Sequence, residues 1–253
     1  INEQVCEGCG DCGIKSNCVS ILPLETEYGR KRKIDQSNCN NDFSCIEGFC
    51  PSFISLEGDV KIKSKQNDKI EELLLNNLDE PILPKIIDSY GIMIAGIGGT
   101  GIVTIGAILG TAAQIDGRGA GVLDMTGLAQ KGGSVKSFLR IFNNANEIST
   151  IRLSYNDTNL LLGCDLIVSN DEEVLITLNN SKSKAIINTD EVPTGEFTRN
   201  INFALPSDEI KENLINLIGK NNINFIPATT ISKNFLGDSI MSNMFIVGLA
   251  YQS

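Results

Sequence analysis

The residues of this chain best suited to chemistry are its cysteines, which cluster at the start of the sequence. Seven of the eight cysteines lie within the first 50 residues. A triplet spans residues 6–12, and the glycines around it let the backbone wrap closely around a compact inorganic core. In 4Fe-4S sites such a triplet is completed by a distant cysteine followed by proline, and Cys50-Pro51 matches that pattern. The predicted ligands of one 4Fe-4S cluster are Cys6, Cys9, Cys12 and Cys50.

The three remaining cysteines of this region suggest a second cluster that is one thiol short. They are Cys18, Cys39 and Cys45. A complete second site would need an oxygen ligand such as Asp42, a cysteine from elsewhere in the protein, or a cluster with only three irons. The spacing from Cys39 to Cys45 is also wider than a ferredoxin triplet allows. The second cluster is therefore a hypothesis, which a count of iron and sulfide tests.

Two other interpretations of the cysteines stay open. A structural zinc site also uses cysteines two residues apart, although it more often shows two separated pairs than a triplet. Disulfides would need an oxidising compartment, and the sequence gives no sign of export. Because the chain contains no histidine, Ser-His-Asp and Cys-His catalysis are excluded.

A glycine-rich segment after an apolar run is the second candidate site. Gly96, Gly98 and Gly101 match the pattern G-x-G-x-x-G between a predicted strand and a predicted helix, where backbone N–H groups can approach a phosphate. Asp124 follows at the end of another predicted strand, where a dinucleotide-binding fold holds a ribose hydroxyl. The alternative is that the glycines only permit tight packing. The candidate residues of this first loop are Gly96, Gly98, Gly99, Thr100, Gly101 and Asp124.

A second polar glycine loop follows Asp124, at the carboxyl end of its strand. Ligands of open α/β sheets bind at this edge, so two glycine loops there indicate a site. Lys131 could pair with a phosphate or carboxylate, or be a solvated loop lysine. The candidate residues of the second loop are Thr126, Gly127, Gln130, Lys131, Gly132 and Gly133. Cys164 precedes an apolar run and is predicted to be a core residue.

The pattern of apolar segments predicts an α/β fold with a Rossmann-like, largely parallel sheet, preceded by a small, irregular, ferredoxin-like module. We assign residues 1–57 to the iron-sulfur module, 58–89 to a linker with one short amphipathic helix, and 90–253 to the α/β domain. Predicted strands cover residues 91–95, 121–124, 134–142, 165–169, 185–188 and 224–227. Predicted helices cover residues 100–114, 156–162, 172–178, 207–220 and 239–251.

The charge of the chain limits its partners. The formal net charge is -10, which disfavours binding to nucleic acid or to anionic membrane surfaces. No apolar run reaches the roughly 18 residues of a membrane span, and the start lacks the features of a signal peptide, so we expect a cytoplasmic protein. Residues 29–33, with the sequence GRKRK, form either a solvated hairpin or a docking patch for an acidic electron carrier. We also expect a fragment of a longer polypeptide, and a homo-oligomer.

Several sequence segments, taken together, resemble one family. The chain resembles the fused bacterial indolepyruvate ferredoxin oxidoreductases, of the thiamine-diphosphate-dependent 2-oxoacid:ferredoxin oxidoreductase superfamily, in the strings CEGCGDCGIKSNC, TEYGRKRKIDQSNCN, FCPSF, GIGGTGIVTIGAILG and VLDMTGLAQKGGSV. The resemblance implies oxidative decarboxylation of an aryl pyruvate to an acyl-CoA, with electrons passing through iron-sulfur clusters to ferredoxin. It also implies that residues 90–253 are a gamma domain, whose glycine loops contact coenzyme A rather than NAD.

One departure from the family concerns thiamine diphosphate. The GDG…NN signature that holds thiamine diphosphate and magnesium in the family is absent, and the nearest string is Gly58-Asp59-Val60. The thiamine-binding domains are therefore expected in another part of a longer polypeptide. Two alternatives remain for the chain, a non-catalytic electron-transfer or assembly module, and an NAD- or flavin-linked reductase that feeds the clusters.

Overall fold

The computed structural model describes residues 1–36, 39–58, 78, 80–127, 132–192, 197, 200 and 202–253. The chain divides into two compact units. The cysteine unit comprises Ile1–Lys63 and Val192–Leu205, and the sheet unit comprises Ser64–Glu191 and Pro206–Ser253. The return of residues 192–205 to the cysteine unit was not predicted from the sequence. The predicted linker helix falls in residues 58–89, most of which lie outside the described residues.

Short elements and tight turns make up the cysteine unit. Helix α1 spans Asp11–Ser16, and strands β1 (Ile21–Thr26) and β2 (Gly29–Ile34) form an antiparallel hairpin in which Ile21 faces Ile34. A 3-10 turn covers Ser44–Ile46. Residues 29–33, for which a solvated hairpin and a docking patch were both considered, thus lie in the second strand of this hairpin. Among the described residues of this unit, the buried apolar side chains are those of Ile21 and Phe197.

A six-stranded sheet organises the sheet unit. Its strands are β3 (Ser89–Ile97), β4 (Gly119–Thr126), β5 (Ser134–Phe142), β6 (Leu160–Gly163), β7 (Lys184–Asn188) and β8 (Ile223–Ile226), in the order β4-β5-β3-β6-β7-β8. Strand β5 is antiparallel to both of its neighbours, whereas β3, β6, β7 and β8 pair in parallel. The predicted class, α/β with a largely parallel sheet, is confirmed.

Helices bury both faces of this sheet. They are α2 (Ile102–Ile115), α3 (Leu166–Ser169), α4 (Glu172–Leu175), α5 (Ser207–Ile218), α6 (Ala228–Leu236) and α7 (Ser242–Gln252). Successive residues of β3 point to opposite faces, so Met93 joins a cluster with Val174 and Leu214, while Ile94 joins another with Ile105. No helix in the described part of the chain is long and apolar enough to cross a membrane.

Two neighbouring predictions in the middle of the chain were wrong. Residues 156–162 were predicted as helix, but residues 160–162 belong to strand β6, which pairs in parallel with β3 and β7. Residues 165–169 were predicted as strand, but they form α3, because the Asp165 side chain caps the helix by accepting a hydrogen bond from the N–H of Val168 at 2.9 Å. Helix α6 was not predicted.

Candidate functional site

A cavity in the cysteine unit brings together the four predicted ligands of the first cluster. The cysteines that line it are Cys6, Cys9, Cys12, Cys50 and Cys45. Arg32, Ser52 and Lys15 also line the cavity. The cysteine triplet and the distant Cys50 thus line one cavity, which is the arrangement that the sequence pattern predicts.

Glycines and backbone hydrogen bonds give this cavity its shape. Gly8 has φ +76°, and a Cβ there would lie 2.2 Å from the carbonyl oxygen of Arg30, so the loop approaches the hairpin as only glycine allows. Gly10, at φ 78°, begins helix α1, which carries Cys12. The N–H of Asn2 donates to the Ser52 carbonyl at 2.7 Å and holds the Cys50 segment beside the chain start.

The environment of Cys12 is partly buried and positively charged. Burial raises the pKa of the Cys12 thiol, while the N–H of Gly13 and the charge of Arg32 act in the opposite direction. The Cys50 sulfur lies 3.0 Å from the hydroxyl of Ser52. Thiolate ligands are stabilised by nearby cations and hydrogen-bond donors, so the donor set suits a cofactor held by thiolates.

Cys45, which also lines the first cavity, lies near the two remaining cysteines of this unit, Cys18 and Cys39. Burial raises the pKa of the Cys45 thiol first, and the charges of Cys18 and Cys39 raise it further. Asp42, the oxygen ligand considered for a second cluster, accepts hydrogen bonds from the N–H and the hydroxyl of Ser44 at 3.1 and 2.9 Å. Its carboxylate therefore lies at the start of the turn that contains Cys45.

The alternatives for the cysteines can be compared with the geometry. None of the eight cysteines forms a disulfide. Within the described ranges, no group of three cysteine, aspartate or glutamate side chains is arranged to hold a single metal ion. A zinc ion needs sulfurs about 2.3 Å from the metal, and hence within about 4 Å of one another, whereas a cluster of several irons spaces its ligands more widely. The zinc interpretation and the cluster interpretation both stay predictions, which the metal content of the protein decides.

The charged segment 29–33 is not a free patch. Arg30 pairs with Glu25 and donates to the Phe203 carbonyl at 2.8 Å. Lys31 donates to the Glu3 carbonyl at 2.6 Å, and Arg32 is only 2% exposed. The hairpin is thus solvated in part only, because Arg32 points inward.

In the sheet unit, the two glycine loops meet at the carboxyl ends of β3 and β4. The N–H of Gly98 donates to the Gly133 carbonyl at 2.8 Å, and the N–H of Gly127 donates to the Ser134 carbonyl at 3.3 Å. The structure therefore brings the two predicted loops together. Gln130 and Lys131, predicted from the sequence as contacts, lie outside the described residues.

The glycines of the first loop have different roles. Gly96 is buried, and a Cβ there would lie 2.4 Å from the Cδ1 of Ile102 and 3.0 Å from the Cβ of Cys164, so this glycine permits strand–helix packing. Gly99 and Gly101 have φ values of +86° and +95°, and a Cβ on either would meet no atom within 4 Å. The open side of the loop is thus at Gly99 and Gly101, and Gly132, with φ +69°, is similarly open.

Thr100 is held by a residue that the sequence analysis missed. Its hydroxyl donates to the Ile97 carbonyl at 2.7 Å, and its own carbonyl accepts from the Nδ2 of the buried Asn243 at 2.6 Å. Asn243 lies on α7, 143 residues later in the sequence. Because no local pattern links the two, only the fold could reveal this contact.

Asp124 does not occupy the place that a dinucleotide-binding fold would give it. In that fold the acid follows the strand next to the glycine-loop strand. Here β5 lies between β3 and β4, so Asp124 is two strand spacings from β3, roughly 10 Å. The sheet order therefore gives no support to a ribose contact by Asp124. Cys164 is buried, as predicted, and burial raises the pKa of its thiol to about 12.

Comparisons with known proteins found one family model and several solved structures that are similar to the chain. The model of a family described as pyruvate ferredoxin/flavodoxin oxidoreductase matches residues 91–253. No curated protein matches the sequence. The solved structures that resemble the chain include the pyruvate oxidoreductase subunit PORC from Thermotoga maritima, which is 18% identical with a TM-score of 0.44; the match covers 65% of this chain and 75% of that one.

Two further solved structures are similar to the chain at the same level. One is the gamma subunit of a keto/oxoacid ferredoxin oxidoreductase from Geobacter sulfurreducens, 18% identical with a TM-score of 0.41, over 62% of this chain and 71% of that one. The other is a 2-oxoglutarate:ferredoxin oxidoreductase from Magnetococcus marinus with 2-oxoglutarate, coenzyme A and succinyl-CoA bound, 17% identical with a TM-score of 0.42, over 64% of this chain and 24% of that one.

Proposed function

The chain belongs to the pyruvate ferredoxin/flavodoxin oxidoreductase family, and from this membership we propose that it is the electron-relay and gamma-type part of an oxidoreductase that decarboxylates an aryl pyruvate such as indolepyruvate. Oxidative decarboxylation of a 2-oxoacid to an acyl-CoA releases carbon dioxide and two electrons. Ferredoxin accepts electrons singly, so the reaction needs a one-electron relay. The observation that carries the proposal is that the family model matches most of the sheet unit. The cavity lined by cysteines in the cysteine unit supports the relay part of the proposal.

The cysteine unit is proposed to be the relay. Its ligands to one 4Fe-4S cluster would be Cys6, Cys9, Cys12 and Cys50, and a bound cluster supplies one-electron transfer. The chain contributes the thiolates, the hydrogen bond between Ser52 and Cys50, and the buried charge of Arg32. A second cluster near Cys18, Cys39 and Cys45 remains a separate hypothesis.

The sheet unit is proposed to contact coenzyme A through the open side of its glycine loops. Gly99 and Gly101 present backbone without side chains at the start of α2, where N–H groups lack partners within the helix and the dipole favours a phosphate. The carbonyl of Thr100, fixed by Asn243, holds this turn in place. Thiamine diphosphate and magnesium would be held by other domains of a longer polypeptide, and ferredoxin would be the electron acceptor.

The first experiment is an iron and sulfide analysis of the anaerobically purified chain. We expect about four irons and four sulfides per chain for one cubane, and about seven or eight if a second cluster is present. Zinc in place of iron would refute the relay. The chain alone should release no carbon dioxide from indolepyruvate when thiamine diphosphate is added, whereas the complete enzyme should prefer indolepyruvate to pyruvate in ferredoxin reduction with coenzyme A.

Calorimetry with coenzyme A and NADH separates the three functional hypotheses. Binding of coenzyme A supports the proposed role of the glycine loops. Binding of neither ligand favours a non-catalytic electron-transfer or assembly module, for which the hydrogen bond between the loops at Gly98 and Gly133 would be purely structural. Binding of NADH favours a reductase, although the position of β5 between β3 and β4 does not match a dinucleotide-binding sheet.

A further inference from the structure

Arg32 is a buried cation in a strand whose other charged residues reach the surface. It lies on β2 between Lys31 and the exposed Lys33, and strand alternation turns its side chain inward. Only 2% of it is exposed, and it lines the same cavity as the four predicted cluster ligands. A position this deep is unusual for a charged residue without a partner of opposite charge.

Among the described residues, Arg32 contacts an aromatic ring and a backbone carbonyl but no carboxylate. Its guanidinium lies 4.7 Å from the centre of the Phe197 ring and donates to the Lys31 carbonyl at 3.0 Å. No ion pair joins it to a carboxylate in the described part of the chain. Burial lowers the pKa of Arg32, and the nearby charges of Cys12 and Cys6 oppose this effect. Within the described ranges, the groups near the guanidinium that can carry a negative charge are the sulfurs of Cys12, Cys6 and Cys9.

We propose that Arg32 is a positioning residue that raises the reduction potential of the cysteine-held cluster by placing one fixed positive charge beside it. The inference rests on the proposed 4Fe-4S site. One-electron reduction adds one negative charge to the site, and a nearby fixed cation stabilises the reduced form more than the oxidised form. No proton or further reactant is needed, because the guanidinium stays charged throughout.

Phe197 makes this charge effective. The ring belongs to the segment Val192–Leu205, which joins the cysteine unit from far along the sequence, and it is 6% exposed. By covering one face of the guanidinium it keeps water away, so the charge is less screened than a surface cation would be. Lys33, one residue further along β2 and exposed, offers the contrasting case of a solvated charge.

The test is a redox titration of the full chain, purified anaerobically and followed by electron paramagnetic resonance, with iron and sulfide counted in every sample. Arg32→Gln is compared with the wild type, with Arg32→Lys, which keeps the charge, and with Lys33→Gln, which removes an exposed one. We expect Arg32→Gln to lower the equilibrium constant for reduction by about tenfold, which is about 59 mV for one electron. Arg32→Lys should recover at least half of this shift, and Lys33→Gln should change it by less than about twofold.

Each outcome bears on the inference. An unchanged potential in Arg32→Gln with full iron content overturns the role of Arg32 and leaves the cluster proposal intact. A wild type without iron would overturn the proposed relay itself. If Arg32→Gln fails to retain iron, Phe197→Leu decides the matter, since it admits water to the guanidinium: a more negative potential supports the inference, and an unchanged one overturns it.

Discussion

The two units of this chain keep their structure by different means. In the sheet unit, apolar side chains from both faces of the sheet form two large clusters, and residues such as Met93, Ile94 and Leu161 are fully buried. In the cysteine unit, the described residues include only Ile21 and Phe197 as buried apolar side chains. One unit is built on an apolar core, whereas the other is organised around a cavity of thiols.

The exposed residues of the cysteine unit sharpen this contrast. Phe49 is fully exposed beside Cys50, and Phe43 is 61% exposed. Small units that bury little apolar surface need a disulfide, a metal or a partner to be stable. None of the cysteines is paired as a disulfide, and we predict that the thiols stabilise their own unit through the proposed cluster.

The largest expected effect is the loss of the cysteine unit when a ligand is removed. Cys12→Ser should lose most of the iron and cost the cysteine unit about 5 kcal/mol or more, because ligand binding supplies most of its folding free energy. Hydrogen exchange measured by mass spectrometry should then show loss of protection in peptides from residues 1–58. Peptides from β3 and β5 should keep theirs.

The matched control is a cysteine in the other unit. Cys164→Ala removes a buried thiol from the apolar core of the sheet unit, so iron content should be unchanged while the sheet unit loses about 1 kcal/mol. If residues 1–58 were protected from hydrogen exchange equally with and without iron, the thiols would not stabilise the cysteine unit. The contrast between the two units would then be wrong.

The second prediction tests the apolar core. Leu161→Ala in β6 removes a fully buried side chain and should cost about 2–5 kcal/mol of the unfolding free energy of the sheet unit, measured by urea denaturation. Iron content should stay as in the wild type. The control Leu83→Ala, at a residue that is 67% exposed, should change stability by less than about 0.5 kcal/mol. Loss of iron in Leu161→Ala would show that the units depend on each other.

The sequence predicted the sheet unit best where segments are long or carry turn signals. Strand β5 was predicted with its observed ends, and the helix after the glycine loop was found because a long apolar segment follows Gly101. Residues 156–169 were misassigned because short apolar runs fit a buried strand and a buried helix equally well. The capping signal of Asp165 was the available clue to the helix.

In the cysteine unit, the spacing of the cysteines predicted which of them lie together, but it did not predict which other residues surround them. The triplet and Cys50-Pro51 are local patterns, and Cys6, Cys9, Cys12 and Cys50 line one cavity. The burial of Arg32 against Phe197 could not be predicted, because a run of four basic residues normally indicates solvent exposure and Phe197 lies 165 residues away in the sequence. The residue proposed to set the potential is thus visible only in the fold.

The third prediction concerns the glycine loop. Gly101→Ala places a Cβ on backbone at φ +95°, which should cost about 1–2 kcal/mol and weaken the binding of coenzyme A, as measured by calorimetry. Gly248→Ala is the control, because Gly248 lies within α7 with no atom near the added Cβ. It should stabilise the sheet unit by up to about 1 kcal/mol. Unchanged coenzyme A affinity in Gly101→Ala would argue against the loop as a contact.

The smallest expected effect comes from one carboxylate of the sheet unit, Asp157. It distinguishes how acid destabilises the sheet unit from how acid destabilises the cysteine unit. Burial of Asp157 opposes its ionisation, but the N–H of Ser154 and the charge of Arg140 outweigh this and lower the pKa of the carboxyl. The stabilisation is therefore present above the ordinary aspartate pKa near 4 and is lost as pH falls through the lower value in the folded state. Asp157→Asn should cost about 1 kcal/mol at pH 7, and the difference from the wild type should shrink towards pH 3.

Urea denaturation of the sheet unit between pH 7 and pH 3 measures this dependence. The control Asp116→Asn breaks an exposed pair with Arg118 and should change stability by less than about 0.5 kcal/mol at any pH. In the cysteine unit, acid should act instead by protonating the thiolates and releasing iron. Iron release that follows the same pH curve as unfolding of the sheet unit would mean that one cooperative transition governs both units. The contrast between a unit stabilised by its apolar core and a unit stabilised through its thiols would then be wrong.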